Sequence, residues 1–194
     1  VTRRPRVALV SIGDELVMPG ETPGPDQIIV SNTFGLHALR TDLGAEPRLL
    51  PIARDSESAL RTVLGLVDDA DLVITIGGAS VGDHDLVATV AESMGLDRAF
   101  HKVAMRPGKP LMSGRLGEAM MLGLPGNPVS AMVCGHIFMA PVIRAMLGLG
   151  AAPAARETIK LAADIGANGP REHYMRARLG AGGAKVFDRQ DSSL

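Results

Sequence analysis

Up to residue 147, the hydrophobic positions alternate between short apolar runs and segments with helical spacing. The runs 6–12 (RVALVSI) and 71–76 (DLVITI) are continuous and rich in β-branched residues, as strands buried on both faces are. Segments 31–43 and 58–67 repeat apolar residues every three to four positions, which predicts helices that bury one face. Further strands are predicted at 46–53, 99–103, 110–113 and 120–124, and a further helix at 86–94.

Two helix starts carry recognisable capping chemistry. Ser31 or Asn32 is the predicted N-cap of the first helix, because short polar side chains satisfy the free N–H groups there. Asn127 followed by Pro128 predicts the start of the last helix, since proline fits the first helical position. Strands that alternate with helices predict an α/β fold with a mainly parallel sheet covered on both faces. Ligands of such sheets bind beyond the carboxyl ends of the strands.

The composition changes after residue 147. Residues 148–155 (GLGAAPAA) have the character of a linker, and 158–165 alternate apolar and polar positions as a half-exposed strand does. Segments 173–179 and 184–189 flank a glycine-rich stretch and predict a hairpin. We therefore divide the chain into an α/β domain at 1–147, a linker at 148–155 and the start of a β-rich domain at 156–194. Because two or three strands with open edges are marginally stable alone, we expect this to be a piece of a longer protein.

Composition and charge exclude several classes of function. With 20 Lys and Arg against 21 Asp and Glu, and only 3% aromatic residues, the chain lacks what nucleic-acid binding requires. The single cysteine, Cys134, excludes an internal disulfide and a cysteine-cluster zinc site, and its apolar helical surroundings predict a buried thiol. No signal peptide and no uninterrupted apolar run near about 20 residues is present, so we predict a cytoplasmic protein without a membrane span.

Acidic residues follow two of the predicted strands. Asp14 and Glu15 come directly after Gly13, where they can bind a metal or hydrogen-bond a polar ligand. The alternative is an acidic turn that faces the solvent. Asp55 follows the strand at 46–53, and its alternative role is to cap the next helix.

A glycine-rich loop, 77–85 (GGASVGDHD), follows the strand at 71–76. Its glycines allow backbone N–H groups to approach an anion, although it matches neither a Walker A loop nor G-x-G-x-x-G. In the alternative interpretation, Asp83 is a helix N-cap and Asp85 complements the helix dipole. His84 has no second His or Cys at ligand spacing and is predicted to be a surface residue.

Two further loops carry cations and prolines. The loop 102–110 (KVAMRPGKP) contains Lys102, Arg106 and Lys109 and is stiffened by two prolines, which suits phosphate or oxyanion binding. The alternative is a solvated basic loop. The turn 124–131 (LPGNPVSA) either serves only to reverse the chain or presents a helix N-terminus that favours anions. Carboxylates and cations on neighbouring strand ends together suit a phosphorylated ligand with a hard divalent cation.

These motifs, in this order, resemble the MoeA/gephyrin E-domain family. The similar stretches are GDE, SNTFGLHALRTDLG, RDS, ITIGGASVGDHD, KVAMRPGKP and LPGNPVSA. The resemblance covers about residues 6–147, which look like the family's third domain, and the tail from about 156 resembles the start of its β-rich fourth domain. LPGNPVSA together with PGKP distinguishes the chain from the adenylyltransferases and the CinA relatives that share the fold.

The resemblance implies a three-layer αβα domain of the molybdopterin-binding type. It also implies that the chain binds adenylylated molybdopterin, cleaves the adenylate with Mg²⁺ or another divalent cation, and transfers molybdate. By motif, the catalytic acids are Glu15, Asp55 and Asp85, and these three with Asp14 are the expected metal ligands. The expected ligand-binding residues are Gly77, Gly78, Ser80, Gly82, Asp83, Lys102, Arg106, Lys109, Pro125 and Pro128. Arg106 stands where many members have lysine, which leaves the charge but changes its geometry.

The resemblance also has implications for assembly. Family members are homodimers whose active site is completed by first and second domains that this sequence lacks. We therefore expect the stretch alone to be inactive, and we expect molybdopterin adenylyltransferase to be its pathway partner. Three other functions stay open: a molybdopterin adenylyltransferase, a non-catalytic scaffold of the gephyrin type, and a nucleotide-salvage enzyme of the CinA type.

Overall fold

The computed structural model describes residues 2–78 and 85–192. Its strands, in chain order, are β1 (Arg6–Ser11), β2 (Leu16–Val17), β3 (Ile28–Ile29), β4 (Glu46–Leu49), β5 (Leu72–Ile76), β6 (Leu96–His101), β7 (Met105–Arg106), β8 (Met112–Leu116), β9 (Ala119–Leu124), β10 (Glu172–His173), β11 (Ala177–Gly180) and β12 (Gly183–Val186). Its helices are α1 (Asn32–Asp42), α2 (Glu57–Leu64), α3 (Leu86–Ser93), α4 (Pro128–Cys134) and α5 (Ala140–Met146), with a π-helical turn at Gly135–Met139 joining the last two.

Six strands form the central sheet in the order β4-β1-β5-β9-β8-β6. The pairs β1–β4, β1–β5 and β5–β9 are parallel, and β8 is antiparallel to both of its neighbours. Because β8 reverses direction between β9 and β6, the strands β4, β1, β5, β9 and β6 all end at the same edge of the sheet. The predicted α/β fold with a mainly parallel sheet is confirmed, and this edge is where ligands of such folds bind.

The helices cover the sheet on both faces, which makes three layers. Alternate residues of β1 separate the two cores: Val7 and Leu9 face one side, and Ala8 and Val10 face the other. Leu60 and Val63 of α2, with residues of α3, pack on the side of Ala8 and Val10. Residues of α1, α4 and α5 pack on the opposite side. Hydrophobic burial on both faces explains why the strand sequences are continuous apolar runs.

Some predicted boundaries are wrong near the basic loop. The strand predicted at 110–113 begins only at Met112, and the one predicted at 99–103 already begins at Leu96. The Lys102 N–H donates to the Leu111 carbonyl at 2.8 Å, which closes the intervening residues into a loop. Pro110 has no N–H to donate to a sheet, and the regular pairing of the next strand begins beyond it, at Met112.

The last helical stretch, Pro128–Met146, is 19 residues long with a mean hydropathy of 1.5, and is long and apolar enough to cross a membrane. The sequence showed no uninterrupted run because His136 and Arg144 interrupt it. The face with Ala131 and Ile143 is fully buried against the sheet. A core helix of a globular protein meets the same length and composition criterion. In this stretch 33% of the 18-residue window is buried, and the buried residues pack on the sheet.

The tail is joined to the sheet domain at few points. The predicted hairpin is confirmed, with β11 and β12 paired antiparallel. The strand predicted at 158–165 is wrong: this segment makes one isolated bridge, Leu161 to Ala184, and leaves Ile159 and Ile165 more than 40% exposed. Its pairing with β12 is limited to this bridge and two backbone hydrogen bonds, so no regular strand forms there. β10 instead pairs with β7 of the basic loop.

Candidate functional site

A cavity of about 690 Å³, here named the carboxylate pocket, opens at the carboxyl ends of β1, β5 and β9. Six of the residues expected from the sequence line it: Glu15, Asp55, Gly77, Gly78, Pro125 and Pro128. The loops after three parallel strands meet here because those strands end at the same edge of the sheet. The position agrees with the rule for ligand sites in α/β folds.

Asp14 and Asp55 hold the first two loops of this pocket together. The Asp55 N–H donates to the Asp14 carboxylate at 3.0 Å, and the Asp14 N–H donates to the Asp55 carboxylate at 3.2 Å. The N-cap of α2 is Ser56, whose hydroxyl accepts from the Ala59 N–H. Asp55 therefore does not cap the helix, and its carboxylate remains at the pocket wall.

Arg54 fixes the same loop and was missed by the sequence analysis. Its guanidinium donates to the backbone carbonyls of Asp14 at 2.8 Å, Leu16 at 3.1 Å and Gly13 at 3.4 Å. All three carbonyls lie around one nitrogen, Nη1, and share its two N–H groups. Nothing in the spacing of the residues signals this role, because the three acceptors are backbone groups.

The glycines of the pocket are required by close approaches of the backbone. At Gly77, φ is 87° and an added Cβ would lie 2.5 Å from the Ile12 carbonyl oxygen. At Gly78, φ is 66° and an added Cβ would lie 2.6 Å from a methyl group of Val87. These two glycines bring the loop after β5 against the end of β1, and they leave backbone exposed to the pocket.

The turn after β9 forms another wall. The Asn32 amide donates to the Gly126 carbonyl, so the predicted helix cap binds the turn instead, and Ser31 in the N-cap position makes no side-chain capping bond. At the start of α4, the Val129 N–H donates to the Ser192 carbonyl at 3.1 Å. One of the helix N-terminal donors that the sequence offered to an anion is thus already bonded to the tail.

Asp85 lies apart from the carboxylate pocket and is not among its lining residues. It is 5% exposed and is the N-cap of α3, where it accepts from the Ala88 N–H at 2.9 Å. Its other carboxylate oxygen lies 3.1 Å from His101 Nε2. The N-cap of α3 is thus Asp85, which was expected only to complement the helix dipole. Ser80, Gly82, Asp83 and His84 lie outside the described residues.

The four expected metal ligands are not gathered into one cluster. In the part of the chain that the structure describes, no three His, Cys, Asp or Glu side chains converge as a metal site would. The reason is that Asp85 is turned toward the start of α3, whereas Asp14 and Asp55 bond to each other's backbone. Glu15 and Asp55 still share one pocket, and Mg²⁺ is usually bound by one or two carboxylates, substrate phosphates and water. The donor set fits a cation of that kind.

The basic loop is anchored on the sheet domain through its centre. Met105 is buried, and a Cβ at Gly108 would lie 2.6 Å from Cys134 Sγ. Burial raises the pKa of the Cys134 thiol to about 12, in agreement with the predicted structural role. Lys102 has φ of 77°, a left-handed backbone that non-glycine residues adopt infrequently.

Arg106 lines a second cavity, here named the basic pocket, of about 320 Å³. The other charged or ionisable residues in its wall are Arg171 and His173, both from the tail. Lys102 and Lys109 line neither this pocket nor the carboxylate pocket. The structure therefore separates the three cations that the sequence grouped on one loop.

Arg171 and His173 were missed because their neighbourhood depends on tertiary pairing. β10 pairs with β7 in parallel, with His173 opposite Arg106. The Tyr174 N–H donates to the Arg106 carbonyl at 2.8 Å, and the Glu172 N–H donates to the Ala104 carbonyl at 2.9 Å. Two-residue strands leave no periodic signal in a sequence, so no pattern indicated this contact.

Comparison with known proteins agrees with the resemblance noted from the motifs. A family model described as "Probable molybdopterin binding domain" matches residues 8–145, well over half of the chain. The chain is 44% identical over 153 residues to a molybdopterin molybdenumtransferase of Nostoc sp., and 39% identical over 147 residues to one of Haemophilus influenzae. These alignments cover 77% and 75% of this chain but only 35% and 36% of the relatives. The chain thus spans about a third of the length of these relatives.

Solved structures show the same relationship. The molybdopterin biosynthesis MoeA protein from Pyrococcus horikosii superposes with a TM-score of 0.81 at 29% identity, over 96% of this chain and 46% of that protein. A molybdenum cofactor biosynthesis protein B superposes with a TM-score of 0.54 at 15% identity, a likeness that shows the fold alone. The strand-end pocket, the sheet order and the match over residues 8–145 together lead to one conclusion: this chain belongs to the molybdopterin-binding domain family.

Proposed function

We propose that the chain is the molybdopterin-binding part of a molybdopterin molybdenumtransferase, which inserts molybdate into adenylylated molybdopterin as the adenylate is cleaved. The observation that carries this proposal is the presence of two pockets of opposite chemistry along one loop. Pro110 lines the carboxylate pocket, and Arg106 lines the basic pocket. An enzyme that brings a phosphorylated pterin and a molybdate dianion together needs a place for each.

The carboxylate pocket is proposed to hold the phosphorylated end of adenylylated molybdopterin. Gly77 and Gly78 leave backbone at the wall, and Pro125 and Pro128 give the opposite wall a fixed shape. Glu15 and Asp55 are the proposed catalytic acids and, with Asp14, the proposed ligands of Mg²⁺. When bound, Mg²⁺ would neutralise charge on the ligand's phosphates.

The residues around Asp55 are proposed to keep its carboxylate oriented. Arg54 clamps the loop of Asp14 by three carbonyl groups, and Asp14 bonds the Asp55 backbone. In this position, Asp55 can accept a proton from the water that attacks the adenylate phosphorus. Asp85 is proposed to act by fixing the end of the glycine loop, whose Ser80, Gly82 and Asp83 remain proposed ligand contacts.

The basic pocket is proposed to bind molybdate. Arg106 and Arg171 supply two guanidinium groups, which bind tetrahedral oxyanions through paired N–H donors. Among the described residues that line this pocket, none is acidic. Lys102 and Lys109, on the same loop but outside both pockets, are proposed to attract the phosphates of the incoming ligand.

For the whole protein we propose a cytoplasmic homodimer that receives its substrate from molybdopterin adenylyltransferase. We also propose domain limits at 1–147 and 156–194 with a linker at 148–155. Residues 151–155 of this linker lack regular structure and are exposed. Sedimentation analysis of the full-length protein tests the dimer, and limited proteolysis tests the linker. A monomer at micromolar concentration, or first cleavage within 1–147, would contradict these proposals.

The activity is tested with the full-length protein in a molybdate-dependent cofactor-maturation assay. We expect Asp55→Asn to abolish molybdenum insertion, and we expect Asp68→Asn, an exposed residue that lines neither pocket, to retain it. The 194-residue chain alone should not turn over. Formation of pyrophosphate from ATP and molybdopterin would instead identify an adenylyltransferase and contradict the proposal.

A further inference from the structure

His173 lies in the basic pocket opposite a charged neighbour. The pairing of β10 with β7 places His173 beside Arg106, and Arg171 precedes it by two residues. Alternate residues of a strand face opposite sides, so Glu172 is turned away. Its carboxylate pairs with Arg156 at 2.9 Å, outside the pocket.

The two charged residues that line the pocket with His173, Arg106 and Arg171, are both cations. Burial, followed by the charges of Arg106 and Arg171, lowers the pKa of His173 below its ordinary value of 6.5. The other residues that line the pocket, 165–170 and Met175, are uncharged. Without a ligand, His173 is therefore neutral at neutral pH, and its imidazole can donate only one hydrogen bond.

An anion in the pocket counteracts the effects that disfavour protonation of His173. A dianion between Arg106 and Arg171 offsets the two charges that disfavour a protonated imidazole, and it is also a direct partner for that imidazole. The pKa of His173 must then rise on binding. By linkage, a ligand that raises the pKa of a group binds more tightly when that group is protonated, and it takes up a proton when the group was neutral.

We propose that His173 is the third donor of the basic pocket and that a tetrahedral dianion binds there with uptake of a proton by His173. This proposal rests on the proposed function of the pocket as the molybdate site. The affinity for the dianion then rises as the pH falls from the bound-state pKa of His173 to its free-state pKa. The slope is at most about tenfold per pH unit, because one group takes up at most one proton.

Such a donor makes the site selective in a way that two arginines alone do not. Arg106 and Arg171 are positively charged throughout the pH range of interest, whereas His173 becomes protonated only when a doubly charged ligand is bound. A singly charged anion compensates the two arginines less completely and raises the pKa of His173 less. His173 therefore favours dianions over monoanions of similar size.

The test is calorimetric titration of the purified protein with sodium molybdate and with sodium sulfate, at pH about 8 and pH about 5.5. Sulfate keeps both charges throughout this range, so its pH dependence reports on the protein. Repeating each titration in buffers of different ionisation enthalpy measures the protons taken up. We expect tighter binding at the lower pH and uptake of a fraction of a proton at the higher pH.

Three variants assign the proton. His173→Asn, which keeps a donor but cannot be protonated, should bind with an affinity that no longer depends on pH. His173→Lys, which is charged throughout, should bind with pH-independent affinity similar to that of the unsubstituted protein at low pH. His136→Asn, at an exposed histidine on the last helical stretch, should behave as the unsubstituted protein does.

The outcomes separate this proposal from the proposed function. Two results would overturn the role of His173 alone: binding that weakens in Arg171→Gln but takes up no proton in the unsubstituted protein, or proton uptake that persists in His173→Asn. If neither anion binds at either pH, the basic pocket is not an oxyanion site and the proposed function loses its molybdate subsite. An NMR titration of the His173 imidazole, with and without sulfate, gives the same answer independently, because its pKa must rise on binding.

Discussion

The two pockets of this molecule are built by different means. The carboxylate pocket is formed by loops that follow β1, β5 and β9, so the order and direction of the strands determine its geometry. The basic pocket joins the loop that carries Arg106 to the tail at 165–175 through two pairs of residues in β7 and β10. The geometry of the carboxylate pocket is therefore fixed by the packed central sheet. The geometry of the basic pocket depends on a short strand pairing between segments that are distant in sequence.

The pockets also differ in how their charges are compensated. Carboxylates of the first pocket already accept backbone N–H groups, as Asp14 and Asp55 do from each other's loops. In the second, Arg106, Arg171 and His173 face a cavity whose described lining residues include no acid. The carboxylates are thus oriented by hydrogen bonds within the protein, whereas the cations of the basic pocket have no acidic partner in its described lining and are proposed to be neutralised by a bound anion.

The largest expected effect comes from removing the acid at the centre of the first pocket. Asp55→Ala in the full-length protein should lower the rate of molybdenum insertion by at least about 100-fold, as loss of a general base does. The fold should persist, because Ser56 and not Asp55 caps α2. The measurement is the cofactor-maturation rate together with the thermal midpoint. An Asp55→Ala protein with normal activity would refute the site, and Asp68→Ala is the matched control.

The dependence of the carboxylate pocket on close backbone packing is tested by adding one methyl group. Gly77→Ala places a Cβ 2.5 Å from the Ile12 carbonyl oxygen and should lower the free energy of unfolding by at least about 3 kcal/mol. Gly20→Ala is the control, since Gly20 also has positive φ but has nothing within 4 Å, and it should cost only about 1 kcal/mol. Urea denaturation measures both. Equal losses would mean that the approach of β5 to β1 is not required.

A smaller effect is expected from the basic pocket. Arg171→Gln should weaken molybdate binding about tenfold, because one charge-assisted contact is lost. It should leave the free energy of unfolding nearly unchanged, because Arg171 is exposed. Calorimetric titration measures the affinity, and Arg178→Gln, on the exposed strand β11, should bind as the unsubstituted protein does. Equal weakening in both variants would indicate a general charge effect rather than a pocket.

The smallest expected effect is on the reactivity of Cys134, the buried residue against which Gly108 of the basic loop packs. Because burial raises the pKa of Cys134 to about 12, its thiolate is scarce near neutral pH, and a thiol reagent should react only after unfolding. A colorimetric thiol assay with and without denaturant checks this. Rapid reaction in the native protein at pH about 8 would show that the loop around Gly108 opens.

The sheet domain could be predicted because its elements carry periodic signals. The runs of β1 and β5 and the helical spacing of α2 indicated buried strands and a covering helix, and parallel strands bring their following loops to one edge. Placement of Asp55 and Gly77 at one pocket followed from that rule. The role of Arg54 did not, because it acts on backbone carbonyls.

The positions of the other site residues depend on tertiary contacts that sequence patterns do not indicate. Asp85 was expected either to be a functional acid or to complement the helix dipole, but in the described structure it is the N-cap of α3 and is buried beside His101. Lys102 and Lys109 were grouped with Arg106 by sequence distance, but the closed loop separates them. The contribution of Arg171 and His173 required knowing where the tail docks.

We propose that molybdate binds in the basic pocket while the phosphorylated ligand occupies the carboxylate pocket. The most direct test of this proposal is a crystal structure of the full-length protein with tungstate, a heavy analogue of molybdate, located by its anomalous signal. We expect one ordered tungstate within hydrogen-bond distance of Arg106, Arg171 and His173. An ordered tungstate beside Glu15 and Asp55, with the basic pocket empty, would contradict it.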